Sequence, residues 1–553
     1  MNLPDWLNRP YARSRVLRPA KPLQNADMEK RLGKYEGWII FVLSLLLNLI
    51  LAYFLNFVWH IGNGDGLSRT ANAYYVLYSR EPHLAAIGFV WPPLPSLLQL
   101  PLIPITKALG WLTFTGGILS SVFGALSLVM MNRLLANLKF PPGIRWVFIA
   151  FLQFHPDTWY LFASGMAEPI FLFLVITILV GMNLMPDSLR SWVIVGCCLA
   201  LAFLVRYESL GIIVAVGVAV IVHMWASERN WRSKSEGWLL AILMPPAYII
   251  ALWLFFNWTL LGDPFYFYRS FYSLANASDI AKVVGIGHPM YLAWGNIAIA
   301  IKDGMVRSIQ QFPAYPVLIV FSFISILIHK SRRGFGLFIV MVSVTAFTVL
   351  QVYLGTLANW LRYWFYAAPF SLVLAGLINE NMQRKWRVPL YALLIVSFIV
   401  ATPLSLYAMR DARVGGDEQR LSALILDPQV EPSLRDKDWY WIDLNDAPIV
   451  AKVVDQYSQK GLVMVDSSSS FSVIMDAQAP QRLFITNDSG FDQALAHPQG
   501  VVSYILLLDP TVQLSAINVA YPTLFDDGAS WATLAWDSGP QTIEHWRIYA
   551  VKK

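Results

Sequence analysis

The sequence predicts a polytopic α-helical membrane protein, with about 11 transmembrane helices and a soluble α/β domain at its C-terminal end. Its 553 residues are 56% hydrophobic and only 14% charged, whereas about 25% of residues are charged in soluble proteins. Apolar runs of about 20 residues, the length of a membrane-spanning helix, recur through residues 37–410. Residues 411–553 lack such runs and alternate between strand-like and helix-like segments instead.

The charge distribution divides the chain at the same place. Residues 411–553 contain 10 Lys and Arg against 19 Asp and Glu, a net charge of −9, which leaves +15 for the rest of a chain whose total is +6. A basic excess scattered among loops is typical of the cytoplasmic side of a membrane protein and not of a nucleic-acid interface. We therefore predict a cytoplasmic basic segment (1–36), a membrane domain (37–410) and an extracytoplasmic α/β domain (411–553).

The loops predict the orientation. With a cytoplasmic N-terminus, every connection predicted to face inward carries Lys or Arg, as the positive-inside rule requires. An odd number of spans then places residues 411–553 outside. The proline-rich segment 94–109 and the amphipathic stretch 279–303 are predicted to lie at the outer interface. The predicted spans are 37–59, 111–131, 146–164, 167–185, 192–205, 209–226, 237–261, 312–329, 336–358, 362–377 and 388–409.

Polar outliers collect at the predicted outer ends of the spans. Ionisable residues at such positions are costly, which makes them candidates for function. Each also has a structural alternative: a turn residue, a carboxylate favoured by a helix dipole, a structural ion pair or a snorkelling arginine. The glycines of Gly64-Asp65-Gly66 allow a tight turn that presents Asp65 close to the membrane. The candidates are Asp65, Arg69, Glu168, Arg206, Glu208, Asp263, Arg362 and Tyr363.

Arg206 and Glu208 are predicted to lie in a polar recess. The apolar run before them, residues 192–205, forms about 21 Å of helix, which is shorter than the bilayer core of about 30 Å. Residues two apart on a helix point in different directions. We therefore expect the two side chains to pair with other groups and not with each other.

The sequence predicts no cofactor and no metal. The side chains that could meet as metal ligands show no tight ligand spacing. A site of acids and arginines at one face favours chemistry on a lipid-linked anion, since a transporter needs polar groups near the midplane and broken helices in repeated halves. The potential ligands are His60, Asp65, His83, His155, Asp157 and Glu168.

Several short motifs occur in the order typical of a known superfamily. The chain resembles the GT-C superfamily of polyprenyl-phosphate-sugar-dependent glycosyltransferases, and particularly bacterial members of the protein mannosyltransferase and aminoarabinose transferase groups. The resemblance covers about residues 37–410. The motifs are Gly64-Asp65-Gly66, Trp91-Pro92-Pro93-Leu94, Gly165-Met166-Ala167-Glu168, Arg206-Tyr207-Glu208, Gly262-Asp263-Pro264-Phe265-Tyr266-Phe267 and Arg362-Tyr363.

The resemblance implies an inverting sugar transfer at the extracytoplasmic face of the plasma membrane. Asp65 would be the general base, Glu168 would assist or orient the acceptor, and Arg362 would hold the lipid phosphate. The donor would be a sugar such as mannose, arabinose or glucose on polyprenyl phosphate, and the acceptor a cell-envelope glycan, glycolipid or protein. The first loop has Asp65-Gly66 in place of the paired Asp-Glu of protein mannosyltransferases, which argues against a protein acceptor of their kind. The remaining candidates would contact substrate.

Two other classes of function remain open from the sequence. One is a transporter or flippase for lipid-linked glycans, and the other is a non-catalytic membrane scaffold that presents the acidic domain. Loss of sugar transfer in Asp65→Asn would separate the enzyme from both.

The C-terminal domain is predicted to contain a mostly parallel sheet. Strand-like segments alternate with helix-like ones, which is typical of this arrangement. The serines of 467–470 follow a strand end and are predicted to form a plain loop. The predicted strands are 461–466, 482–488, 502–509 and 546–551, and the predicted helices are 447–459 and 491–496.

Overall fold

A computed structural model describes residues 25–184, 189–225, 231–273, 293–357, 359–411, 414–428 and 442–552. The predicted basic segment 1–36, the stretch 279–303 and the inner connections 186–191 and 227–236 fall partly outside these ranges. The described part is mostly helical up to Arg410 and contains a small sheet after it. The predicted fold class is therefore confirmed.

The long apolar runs form the helices expected of them. The N-terminal half contains α1 (Asn25–Tyr53), which continues as a π-helical turn (Phe54–Val58), α2 (Gly64–Tyr78), α3 (Leu94–Gln99), α4 (Ile103–Leu109), α5 (Thr115–Asn137), α6 (Pro142–Phe154), α7 (Pro156–Ala163) and α8 (Glu168–Leu184). The second half contains α9 (Leu189–Phe203), α10 (Ser209–Trp225), α11 (Trp231–Leu261), α12 (Tyr266–Arg269), α13 (Ile297–Gln311), α14 (Tyr315–His329), α15 (Arg332–Leu354), α16 (Ala367–Asn379) and α17 (Arg384–Arg410).

Each of the eleven predicted spans contains an apolar helix. Among the described residues, six helices are long and apolar enough to cross a membrane, and eight if two sharply bent pairs each count as one span. Three predicted spans correspond to shorter apolar helices, Pro142–Phe154, Ser191–Phe203 and Ser209–His223. The segment 94–109 is split into α3 and α4, each too short to cross a bilayer. The number of crossings and their orientation stay predictions.

One predicted span is interrupted. Residues 146–164 were expected to form one helix, but α6 ends at Phe154 and α7 begins at Pro156. Proline at the first helical position cannot donate a backbone hydrogen bond, and it disfavours helical angles at the residue before it. His155 accordingly adopts an extended conformation, with φ −64° and ψ 125°. α7 then pairs with α8 across a bend of 109°.

The helices surround α16. In the span that contains it, Leu361–Asn379, 94% of the most apolar window is buried, compared with 17% for Glu236–Leu261 at the periphery. Helix α5 packs against α1 and α8 on one side of the bundle, and α10 packs against α15 on the other. The short 3₁₀ turn Leu361–Trp364 precedes α16 at the end of the bundle where α2 also begins.

The C-terminal residues form an α/β domain with a mixed sheet. Five strands lie in the order β4-β3-β5-β7-β6. The pairs β3–β4 and β3–β5 are parallel, whereas β5–β7 and β6–β7 are antiparallel. The elements are α18 (Gln419–Leu426), β2 (Ile442–Asp443), α19 (Asp446–Ser458), β3 (Val463–Val465), α20 (Phe471–Asp476), β4 (Leu483–Ile485), α21 (Phe491–Ala496), β5 (Tyr504–Leu508), α22 (Ala516–Ala520), α23 (Leu524–Asp527), β6 (Ala532–Asp537) and β7 (Trp546–Val551).

The expectation of a mostly parallel sheet was therefore only half right. All four predicted strands are present, but β6 was missed, and it pairs with β7 as an antiparallel hairpin. A short connection can join antiparallel neighbours, whereas parallel strands need a long crossover. The eight residues between Asp537 and Trp546 permit only the antiparallel arrangement.

The C-terminal domain rests directly on α2. The inward face of α2 contributes Leu67, Ala71 and Tyr75 to a cluster that also contains Val450 and Ile474 of the C-terminal domain. The two-residue strand β1 (Ile61–Gly62), just before α2, pairs with β2. Helix α2 is therefore held between the membrane helices and the C-terminal domain.

Candidate active site

Asp65 lies in the first turn of α2. The Asn63 side chain caps this helix by accepting a hydrogen bond from the Gly66 backbone N–H at 2.9 Å. A carboxylate in a first turn is stabilised by the positive end of the helix dipole. The Asp65 side chain is 30% exposed. Its carboxylate is therefore accessible at the start of α2.

The second glycine of Gly64-Asp65-Gly66 allows close packing of this turn. A Cβ atom on Gly66 would lie 2.6 Å from the Ser164 carbonyl oxygen and 3.2 Å from Gly165. Gly165 has φ +81°, an angle that favours glycine. A Cβ atom on Gly165 would lie 3.1 Å from the backbone of Gly116 in α5. Three glycines therefore bring the start of α2 against the turn that leads to Glu168.

Arg362, which lies near the end of the membrane domain in sequence, contacts Asp65 near its beginning. It lies in the 3₁₀ turn before α16 and is only 1% exposed. Its Nη2 atom donates to Asp65 Oδ2 at 2.8 Å and to the Tyr363 hydroxyl at 3.2 Å. Its Nη1 atom donates to Asp417 Oδ2 at 3.1 Å. One buried guanidinium thus bridges two carboxylates that are 352 residues apart in sequence.

Tyr363 connects this group to a second ion cluster. The Arg362 guanidinium carbon lies 5.1 Å from the centre of the Tyr363 ring, and the Arg206 guanidinium carbon lies 5.5 Å from the same centre. Both distances are within the range of a cation–π contact. The Tyr363 ring is therefore in contact with both positive charges and links the two groups.

In the second cluster, Arg206 pairs with two acids. Its Nη1 atom lies 2.5 Å from Glu168 Oε1, and its Nε atom lies 3.0 Å from Glu208 Oε1. The expectation that Arg206 and Glu208 would not pair with each other was wrong. The rule behind it applies to helices, and α9 ends at Phe203, so residues 206–208 form a turn that lets side chains two apart meet.

Arg69 lies on α2 one turn after Asp65. Its side chain donates to the Asp65 carbonyl oxygen at 3.1 Å, and its guanidinium carbon lies 5.0 Å from the centre of the Trp91 ring. It is 8% exposed. The Trp91-Pro92-Pro93 motif thus supports an arginine beside the candidate base.

Asp263 is the candidate whose observed contacts lie within its own segment. It forms an exposed ion pair with Arg269 at 3.3 Å and accepts a hydrogen bond from the Phe265 N–H at 2.9 Å. These contacts are those of a turn residue, which was the structural alternative considered for it. A role for Asp263 in substrate binding stays a prediction.

Asp417 and Glu418 were missed because they follow the last apolar run and were assigned to the C-terminal domain. Glu418 is fully buried, its carboxylate has no side-chain hydrogen-bond partner among the described residues, and the backbone of Gly416 and of Glu418 itself stabilises its charged form. The available signal was the acidic, glycine-containing segment Gly415-Gly416-Asp417-Glu418 at the predicted outer end of a span. A tyrosine anchors this segment, since the Tyr160 hydroxyl donates to the Asp417 carbonyl oxygen at 3.1 Å.

The two carboxylates on Arg362 have different acidities. Burial raises the pKa of Asp65, but the positive charges of Arg362, Arg69 and Arg206 outweigh burial and hold its pKa below the usual value. Burial raises the pKa of Asp417 to about 7, with Arg362 opposing the rise and Asp65 adding to it. Burial also raises the pKa of Glu418. Asp65 is therefore ionised at neutral pH, while Asp417 is poised to titrate there.

Three buried polar atoms on Arg362, Arg69 and Glu168 lack hydrogen-bond partners within the described ranges: Glu168 Oε2, Arg362 Nε and Arg69 Nε. Buried polar groups in folded proteins are nearly always satisfied, so such atoms point to water or a ligand. The same ranges contain no group of three or more His, Cys, Asp or Glu side chains arranged to hold a metal ion. The arrangement suits an anion next to a carboxylate base.

No protein-family model and no curated protein sequence matches the chain. Among solved structures, ArnT from Cupriavidus metallidurans bound to undecaprenyl phosphate aligns with a TM-score of 0.50 and 14% identity, covering 93% of this chain and 98% of that one. The oligosaccharyltransferase of Archaeoglobus fulgidus in its apo form aligns with a TM-score of 0.44 and 12% identity, covering 86% and 70%. AglB of the same organism, in complex with an inhibitory peptide and a dolichol-phosphate, aligns with a TM-score of 0.44 and 13% identity, covering 92% of this chain and 74% of that one.

The alignment with ArnT extends over nearly the whole of both chains, including the C-terminal domain. The expected GT-C-like architecture is thereby confirmed at the level of the fold. The chain shares the overall fold of ArnT.

Proposed function

We propose that this protein is a membrane glycosyltransferase that moves a sugar from a polyprenyl-phosphate donor to an acceptor at the extracytoplasmic face. The acceptor class is a hydroxyl group of a cell-envelope glycan, glycolipid or protein. The fold shared with ArnT, solved bound to undecaprenyl phosphate, supports a lipid phosphate as the leaving group. In this proposal residues 37–410 supply the catalytic domain, and residues 411–553 form the extracytoplasmic domain.

The observation that carries the proposal is the contact between Asp65 and Arg362. A partly exposed carboxylate lies 2.8 Å from a guanidinium that is almost wholly buried. A guanidinium is a strong ligand for phosphate, and a carboxylate is a suitable base for a hydroxyl proton. Glycosyl transfer from a lipid phosphate needs both kinds of group in one site, a base for the acceptor hydroxyl and a cation for the leaving phosphate.

The reaction follows from these two roles. The acceptor oxygen forms a bond to the anomeric carbon while the bond from that carbon to the phosphate oxygen breaks, and the configuration inverts. The bonding electron pair stays with the phosphate, where Arg362 stabilises the developing charge. Asp65 takes the acceptor's proton. Its pKa is held below the usual value despite burial, so the carboxylate is in the proton-accepting form before substrate arrives.

Glu168 and Arg206 suit the acceptor side of the site. Glu168 is 1% exposed and uses only Oε1 on Arg206, while its Oε2 has no partner among the described residues. An acceptor hydroxyl could donate to that oxygen and so satisfy a buried acceptor. Arg206 would then hold Glu168 in place, with Glu208 balancing its charge.

The test is consumption of donor by the purified full-length protein in nanodiscs. Undecaprenyl phosphates carrying mannose, arabinose or glucose would be supplied with a cell-envelope extract as the acceptor source, and free undecaprenyl phosphate measured by mass spectrometry. We expect wild type to release it, and Asp65→Asn to slow the release by about 10²–10⁴-fold, the usual contribution of a general base.

The matched control is Asp427→Asn. Asp427 pairs with Arg410 at 2.7 Å, is 33% exposed, and lies outside the cluster. It should retain wild-type activity. If Asp65→Asn folds normally and releases undecaprenyl phosphate as fast as wild type, Asp65 is not the base. If wild type transfers no sugar but moves labelled lipid between leaflets, the protein is a flippase.

A further inference from the structure

Both Nη atoms of the Arg362 guanidinium are already occupied by this chain's own side chains, and only its Nε has no partner among the described residues. Nη1 contacts Asp417 Oδ2 at 3.1 Å and the Met166 sulfur at 3.9 Å. Nη2 contacts Asp65 Oδ2 at 2.8 Å and the Tyr363 hydroxyl at 3.2 Å. An arginine has two N–H groups on each Nη and one on Nε. A phosphate that binds Arg362 through two N–H groups must therefore displace one of these partners.

Of the two carboxylates that contact Arg362, Asp417 is the one that the proposed reaction can spare. Asp65 must remain ionised and in place if it is to act as the base, and the Tyr363 ring also lies within cation–π distance of both Arg362 and Arg206. Displacing an ionised Asp417 would leave its charge next to the phosphate, in a setting where its side chain is only 14% exposed. An uncompensated buried charge is expensive, and a buried carboxyl avoids that cost by taking up a proton.

We propose that Asp417 is a positioning residue that holds the Arg362 guanidinium until the donor phosphate replaces it, and that this replacement takes up one proton on Asp417. The inference rests on the proposed function, since it assumes that Arg362 binds the donor phosphate. The proton balance is simple: one proton moves from solvent to the displaced carboxylate, and no covalent bond changes.

The surroundings of Asp417 support this coupling. The charged or titratable groups that face it are Arg362 of the 3₁₀ turn, Asp65 of α2, Tyr160 of α7 and its neighbour Glu418, and the Gly64 backbone also stabilises its ionised form. Burial already raises its pKa to about 7 while Arg362 is in contact. Loss of the contact with Arg362 and the approach of the phosphate anion both raise the pKa of Asp417 further.

Proton uptake on Asp417 makes the affinity for the donor depend on pH. Between about pH 7, the pKa of Asp417 in the free protein, and its higher pKa in the bound state, the bound state carries more protons than the free state. Donor affinity therefore falls as pH rises through this window. One coupled proton gives at most a tenfold loss of affinity per pH unit. Between pH 6.5 and pH 8.5 we expect wild type to lose about tenfold in affinity or more.

The probe is the methyl ester of undecaprenyl phosphate, bound to the full-length protein in nanodiscs. A phosphodiester is chosen because a phosphate monoester itself titrates with a pKa of about 6, which would obscure the effect. We expect Asp417→Asn to bind this probe with an affinity that changes less than about twofold across the range, since a neutral side chain requires no proton. Asp427→Asn, the matched control, should keep the wild-type pH dependence.

Calorimetry of the wild type provides a second measurement that needs no variant. At pH 8, titration of the probe in buffers of different ionisation enthalpy should show uptake of about one proton, declining towards zero at pH 5.5. Binding that is independent of pH in wild type, or a pH dependence that persists in Asp417→Asn, would overturn the role of Asp417 and leave the transfer reaction intact. Absence of probe binding at any pH would overturn both proposals.

Discussion

Replacing Gly66 with alanine tests whether the close packing at the start of α2 positions Asp65. The added Cβ would lie 2.6 Å from the Ser164 carbonyl oxygen and 3.2 Å from the Gly165 carbonyl carbon and oxygen. These atoms belong to the backbone, so they cannot move aside as the end of a flexible side chain would. The helix must retreat by about 0.8 Å to restore an ordinary contact of 3.4 Å.

This displacement has two measurable consequences. Overpacking of a tight contact costs about 1–3 kcal/mol of folding free energy, which should lower the unfolding temperature of the protein in detergent. A shift of about 1 Å in a catalytic group can lower the rate by about 10²-fold, so donor consumption should fall by roughly 10- to 100-fold. The asparagine cap on Gly66 is lost or lengthened at the same time.

The matched control is Gly143→Ala in α6. A Cβ at Gly143 meets nothing within 4 Å. In an open helical position, alanine is favoured over glycine by about 0.4–1 kcal/mol, so this variant should be as stable as wild type or more stable, and fully active. If Gly66→Ala behaves like Gly143→Ala in both stability and donor consumption, the packing of α2 against the Ser164–Gly165 turn does not position Asp65.

Two further predictions concern charge. Arg206→Gln should destabilise the protein by about 3–5 kcal/mol, because it leaves the buried acids Glu168 and Glu208 without their cation. The control Arg269→Gln breaks the exposed pair with Asp263 and should cost about 0–1 kcal/mol. If both variants lower the unfolding temperature equally, the pairs around Arg206 are not buried as described. The pKa of Asp488, in the turn after β4, is raised by burial to about 6. Because the folded-state pKa exceeds the unfolded value, the C-terminal domain should lose up to about 3 kcal/mol of stability as pH rises from 4 through 6. Asp488→Asn should remove that loss, and an unchanged pH profile in hydrogen exchange of β4 would refute this reasoning.

Much of the fold could be predicted because the bilayer limits what an apolar sequence can do. Runs of apolar residues such as 237–261 and 388–409 have few alternatives to a helix, and both form one in α11 and α17. Proline at residue 156 was visible in the sequence, yet the break at His155 was not predicted, because overall apolarity masked a local backbone constraint.

The sequence predicted which residues belong to the site better than it predicted the contacts between them. Asp65, Glu168, Arg206 and Arg362 were identified because charges are costly near a membrane, and these four belong to two connected ion clusters. Their partners were not predictable. The pairing of Arg206 with Glu208 depends on where α9 ends.

The sequence by itself therefore determined the helical membrane architecture, the acidic α/β domain and most of the charged residues that meet. These properties depend on composition and on local spacing, which can be determined from each segment of the sequence alone. The tertiary structure alone decided that Asp417 shares Arg362 with Asp65, and that the C-terminal domain rests on α2. The reason is physical: whether a buried charge is compensated depends on which distant segments pack around it, and segment packing is a property of the whole folded chain.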